Sequence, residues 1–141
     1  MSGPTRIVKL DEITPNRRRG GDIRITLGPA TVGATSGFGG VLVLQPGERV
    51  NEHYHPYSEE FLHVISGHAV FEVDGVALAV GPEDSVLVPI GVRHRLLNNG
   101  DEPVRAVFHL SPLAPLPSLG HVDLEEPAHP ELAHPPVGER P

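Results

Sequence analysis

Closely spaced turn signals leave this chain room for short strands and little else. Pro46-Gly47, Pro56-Tyr57-Ser58, Gly67, Asp74-Gly75, Gly81-Pro82, Pro89-Ile90-Gly91 and Asn99-Gly100-Asp101 cut the middle of the sequence into short pieces. Proline fixes φ and lacks an amide proton, and glycine reaches positive φ without steric cost, so each site interrupts a ladder. No stretch keeps a helical period for more than two turns. The expected fold is all-β, a single-domain sandwich or barrel.

The pieces read as strands. Asp22–Leu27 alternates Ile23, Ile25 and Leu27 with Arg24 and Thr26, a half-buried pattern. Val41–Leu44 is uniformly apolar and suits an inner strand. Ala69–Val73 and Val76–Val80 flank Asp74-Gly75, which predicts a hairpin. Ser85–Val88, Arg95–Asn98 and Val104–Leu110 follow, with slighter candidates at 6–10 and 31–35. The composition changes at Ser111: half of the 16 prolines lie between there and Pro141. The expected organisation is a barrel over 1–110 and an extended strap over 111–124, packed through Leu113, Leu116, Leu119 and Val122. A disordered tail over 125–141 completes it.

Within this frame the stretch from Gly47 to Gly67 carries the chemistry. His53 and His55 stand two residues apart in an expected strand. Their side chains therefore share a face with roots roughly 6.6 Å apart, two rises of about 3.3 Å. Two imidazoles so placed can converge on one ion, each nitrogen at about 2.1 Å. After the turn at Pro56 the chain returns with Glu59 and Glu60, and a carboxylate oxygen completes a half-shell. Spacing alone leaves the choice between them open: parity groups Glu60 with Leu62 and Val64, and Glu59 with Phe61, His63 and Ile65. His94, just past a Pro-x-Gly turn, is the third candidate nitrogen. His109, on the last strand, is either a fourth ligand or a general acid/base. Alternation with an outward Arg105 would turn it to solvent unless a bulge intervenes. The basic loop Asn16–Gly21 reads as a solvated turn or as a clamp for an acidic group at a cavity mouth.

Composition narrows the options. A length of 141 residues suits one domain with a genuine core. A net charge of -7 argues against nucleic acid or an anionic membrane as partner. With no cysteine, any metal must be held by nitrogen and oxygen. No apolar run approaches the ~20 residues of a membrane span, and Met1-Ser2-Gly3-Pro4 does not read as a signal peptide, so a cytoplasmic protein is expected.

Two motifs carry a resemblance. Gly47-x5-His53-x-His55-x4-Glu60-x6-Gly67 resembles the first cupin motif with every position filled. Gly81-x7-Pro89-x-Gly91-x2-His94-x3-Asn98 resembles the second, with extra residues before the proline. The resemblance implies a jelly-roll barrel holding one metal ion, and it selects Glu60 over Glu59; His63 then faces away from the site. The wording between the motif positions (HYHPYSEEFLHV, VPIGVRHRL, VFHLSPLAPLP, LGHVD) is similar to the small cupin cyclases of bacterial aromatic polyketide pathways, of the tetracenomycin and resistomycin type.

That likeness implies a Zn2+ cofactor, although Fe2+, Ni2+, Mn2+ and Co2+ suit the same donors. It also implies a homodimer and a poly-β-ketone substrate, free or carried on an acyl carrier protein. The expected reaction is an aldol condensation followed by dehydration. The metal polarises adjacent keto oxygens, His109, Glu60 or a bound hydroxide takes a proton, and an apolar wall excludes water. Val41, Val43, Leu62, Val64, Phe71, Leu96 and Phe108 are the expected wall. Rival readings are a quercetinase-like dioxygenase with the same ligands, a sugar isomerase using Arg93 and Arg95 as phosphate clamps, and a non-catalytic binding module. Cupins host many chemistries, so fold alone does not separate these.

Overall fold

A computed structural model describes residues 6–134. Ten strands follow the turn signals: β1 (Asp22–Leu27), β2 (Phe38–Leu44), β3 (Arg49–Tyr54), β4 (Glu59–Ser66), β5 (Ala69–Val73), β6 (Val76–Val80), β7 (Ser85–Val88), β8 (His94–Leu97), β9 (Val104–Ser111) and β10 (Val122–Asp123). They form two five-stranded sheets, ordered β1-β2-β9-β4-β7 and β10-β3-β8-β5-β6. Every paired neighbour is antiparallel. The sequence neighbours β3 and β4 lie in different sheets, so the residues on either side of the Pro56 turn face one another across the sandwich.

Period-two alternation decides what fills the space between the sheets. On β4, Glu60, Leu62 and Val64 are buried, while Phe61 and Ile65 are exposed. On β9, Val104, Ala106 and Leu110 point inward, and Arg105, Val107 and His109 point out. Among the described residues, Phe71, Leu44, Val64, Val88 and Val104 are the largest fully buried apolar side chains, each stabilising the fold by about 1.5–3 kcal/mol relative to exposure. The β5–β6 hairpin turns through Asp74 and Gly75, both at positive φ, as a tight two-residue turn requires. Gly67 also has positive φ, and a Cβ there would sit 2.3 Å from the Pro103 carbonyl oxygen. The exit from β4 therefore tolerates only glycine.

Several expectations are corrected. Residues 6–10 form no strand; Leu10–Glu12 is a 3-10 turn. The stretch 31–35 is not a strand either. A four-residue helix, α1 (Pro29–Val32), opens on a proline and closes on Gly33 in the left-handed conformation, a start and stop that overrule the β-branched Thr31 and Val32. In the strap, Leu113 is buried and Val122 half-buried, but Leu116 and Leu119 face solvent. The strap is held by β10 pairing with β3 and by Ser58 Oγ donating to the Pro112 carbonyl at 2.5 Å.

The stretch 125–134, expected to be disordered, lies against the body of the protein. Glu125 accepts from the Glu52 amide at 2.8 Å, and Arg18 donates to the carbonyls of Pro130 and Leu132 at 2.6 Å each. Composition hides this docking because backbone carbonyls, which every residue carries, make much of it. Residues 135–141 of the expected tail lie outside the described residues. Among the described residues, no helix is long and apolar enough to cross a membrane.

Candidate metal centre

His53, His55, Glu60 and His94 each bring one ligand atom into a group whose members lie within 4.8 Å of one another, all four side chains buried. Three strands and one turn assemble it. His53 pairs with His94 across β3 and β8, His55 stands just beyond the end of β3, and Glu60 enters from β4 in the opposite sheet. Glu60 Oε1 lies 3.3 Å from His94 Nε2 and 3.4 Å from His55 Nε2. The parity that grouped Glu60 with Leu62 and Val64 holds, and Glu60 rather than Glu59 is the inward carboxylate. His63 lies on the outer face, bonded to Ser85 Oγ at 2.7 Å.

The ring orientations are set by the backbone. His53 Nδ1 lies 2.6 Å from the Asn51 carbonyl, His55 Nδ1 2.9 Å from that of Gly120, and His94 Nδ1 3.0 Å from that of Val92. A carbonyl oxygen only accepts, so each Nδ1 carries hydrogen and each Nε2 is left for the centre. Three imidazoles oriented in this way, with one carboxylate, fit a divalent ion of the Zn, Fe, Ni, Mn or Co group.

Electrostatics in the ion-free protein follow from burial and proximity. Burial, with the charges of His94, His121 and His55, pushes His53 well below its ordinary value. Burial works to raise the Glu60 carboxyl, but hydrogen bonds and charges from His55 and His94 outweigh it and hold it well below the carboxylate range. Burial also disfavours charge on His94, yet the bond to Glu60 and its charge leave that ring raised above 6.5. The His94 contribution to the stability of the ion-free protein is therefore fully present below pH 6.5 and fades as pH rises through its raised value, whereas the Glu60 contribution is present above pH 4.5 and is lost as pH falls through its lowered value.

An ion bound by this group would displace the His94 proton. We predict that metal affinity rises by up to about one log unit per pH unit while His94 is charged, then levels off. Chelator competition across pH, with proton release read by an indicator dye, checks this. A flat profile would show that His94 is already neutral.

The strap supplies residues that local pattern did not mark. The His121 ring stacks on His53 at 4.5 Å between centroids, and its Nε2 donates to Asp123 Oδ1 at 2.7 Å. Asn51 Nδ2 donates to the same oxygen at 2.9 Å. Burial, followed by the charge of Arg19, pushes His121 strongly down, and its Nδ1 is buried without a hydrogen-bond partner. The only sequence signal was the word LGHVD within the strap.

An apolar cavity opens beside these four side chains. Leu62, Phe71, Leu96 and Phe108 line it as expected, joined by Ile23, Ile25, Phe38, Leu42, Val50, Leu110 and Arg19. Val41 and Val43 do not line it; their neighbours Leu42 and Leu44 are the buried pair of β2. Val64 is fully buried in the core away from the cavity. The expectation for His109 is also corrected. Alternation runs unbroken along β9 to Leu110, so His109 is exposed on the outer face, its ring 6.3 Å from that of Phe61. It can neither reach the ligand group nor serve a substrate inside.

Comparison with known proteins agrees with this geometry. The cupin domain profile matches residues 40–110. The chain is 57% identical over 123 residues to "Polyketide synthase CurC" of Streptomyces cyaneus, covering 87% of this chain and 80% of that one. It is 46% identical over 131 residues to "Tetracenomycin polyketide synthase protein TcmJ" of Streptomyces glaucescens, covering 93% and 88%. A Klebsiella pneumoniae protein with a double-stranded β-helix domain superposes with a TM-score of 0.68 at 22% identity, over 87% of this chain and all of that one, a likeness of fold. The chain belongs to the cupin family, in the same group as the Streptomyces polyketide synthase proteins CurC and TcmJ.

Proposed function

We propose that this protein is a metal-dependent polyketide cyclase acting in the cytoplasm on a poly-β-ketone chain, free or presented by an acyl carrier protein. The observation that carries the reading is the buried His53/His55/Glu60/His94 group at the wall of an apolar cavity. The polyketide synthase names of the relatives supply the substrate class.

A divalent ion held by these residues would supply Lewis acidity to two adjacent keto oxygens, making the methylene between them acidic. Glu60, the one carboxylate lining the cavity among the described residues, takes the methylene proton. The carbanion carbon then bonds to a more distant carbonyl carbon of the same chain, and the resulting alkoxide takes the proton back from the Glu60 carboxyl. Loss of one water from the aldol drives the new ring toward aromaticity. Ile25, Phe38, Leu42 and Phe108 coil the chain so that these carbons meet, and they keep bulk water from competing.

The test is product formation from a poly-β-ketone substrate by chromatography and mass spectrometry. Chelator-stripped protein is expected to lose cyclised product and to regain it with added Zn2+. Glu60→Gln should lower the rate by about 10²–10⁴-fold, the usual contribution of a positioned base, with metal content measured alongside. Full activity without metal would remove the Lewis-acid role. Oxygen uptake in step with product would replace the cyclase by a dioxygenase.

A further inference from the structure

The three consecutive arginines of the first loop are used in three different ways. Exposed Arg17 lies 3.6 Å from half-buried Asp22, an ion pair. Arg18 is bound to the carbonyls of Pro130 and Leu132. Arg19 turns inward and lines the cavity that holds the histidines and Glu60. Among the described residues, no carboxylate stands within ion-pair distance of it, and its Nε is buried without a hydrogen-bond partner. Asp123 and Glu60 act on it only at longer range, and burial pushes the guanidinium down to about 10, so it stays charged at neutral pH.

A half-buried cation whose Nε has lost water and gained no partner carries a desolvation cost. The loop backbone nevertheless holds it there. The Arg19 carbonyl accepts from the Asn51 amide at 3.1 Å, two residues before His53. The next residue, Gly20, is at positive φ and packs so closely that a Cβ would collide with the Arg49 carbonyl. The loop backbone that carries Arg19 is thus fixed against β3, the strand that carries His53. A planar guanidinium held in this way presents parallel N–H donors suited to two coplanar oxygens.

We propose that Arg19 is the anchor for a planar two-oxygen anion of the substrate, a carboxylate or an enolised 1,3-diketone, bound in the same cavity as the metal ligands. The proposal rests on the cyclase reading for the identity of the substrate, but not for the anchor itself. Arg19 acts by holding one end of the chain, which sets how far the reacting carbons lie from the ligand group. It is therefore a positioning residue for which ring closes.

The test uses the full chain loaded with Zn2+ and calorimetric titration with 3,5-dioxohexanoate, its methyl ester and benzoate. Wild-type protein is expected to bind the acid and benzoate, and Arg19→Met to weaken both by about tenfold or more, the usual weight of one charge-assisted contact. Arg19→Lys should recover part of the affinity, without the bidentate geometry. Loss of the acid alone assigns the carboxylate as the anchored group; loss of acid and ester together assigns the enolised diketone. Without probe, Arg19→Met should melt a few degrees higher than wild type, since a desolvated charge has been replaced by a matching apolar stem. A merely structural arginine would shift melting the other way.

Arg19→Gln serves if the methionine variant does not fold. Acid and benzoate affinities that stay at the wild-type level in the Arg19 variants, or no binding of either to wild type, overturn the proposal. Benzoate held through Arg19 while the ester is ignored would sink the diketone reading and leave the anchor standing.

Discussion

Replacing His53 by alanine is expected to lower affinity for a divalent ion by more than about 100-fold, since loss of even an orienting partner of a ligand costs about 10–100-fold. Cyclised product should disappear with the metal. His53 is the most constrained of the four candidate ligands: its Nδ1 is tied to Asn51, and its ring packs against those of His94, His55 and His121. Strongly depressed protonation keeps it neutral and ready to bind. His109→Ala is the matched control, because His109 sits on the outer face and should leave metal content unchanged. Elemental analysis of the two purified variants decides the matter. Stoichiometric zinc in His53→Ala, or its loss in His109→Ala, would mean that the ion sits elsewhere.

Much of this centre was legible because strand alternation is local. His53 and His55 share a face by parity, and parity joined with the motif count from Gly67 selects Glu60. The same rule, applied from Arg105, warned that His109 would point outward, and it does. Where alternation is absent from the residues, nothing could be read: Val41-Leu42-Val43-Leu44 is apolar throughout, so its inner face had no period to reveal it. His121 was illegible for a different reason. Its place beside His53 depends on β10 pairing with β3, a contact between segments far apart in the chain. Arg19 falls between these cases. The loop reading allowed an acid clamp but could not say which arginine turns inward, since three consecutive arginines carry no period and Arg18 is taken by carbonyls more than a hundred residues away.

Phe71→Ala is expected to cost about 3–5 kcal/mol, a large share of the roughly 5–15 kcal/mol that stabilises a domain. Phe71 is 1% exposed, pairs with Leu96 and Leu78 on its neighbouring strands, and lies 5.8 Å from the His94 ring. Its removal would therefore open a void both in the core and beneath His94, one of the four candidate ligands. For a chain of this size the melting temperature should fall by about 10–20 °C. The location makes the loss partly recoverable: an ion that binds only the folded state at 100 times its dissociation constant returns about 2.7 kcal/mol. Calorimetry with and without Zn2+ measures both quantities on one variant. A fall below about 1 kcal/mol would mean that the walls collapse into the gap at little cost. A full fall with no recovery on adding zinc would mean that His94 no longer holds its ring toward Glu60 once its apolar support is gone, so that packing, as much as the ligand set, builds the centre.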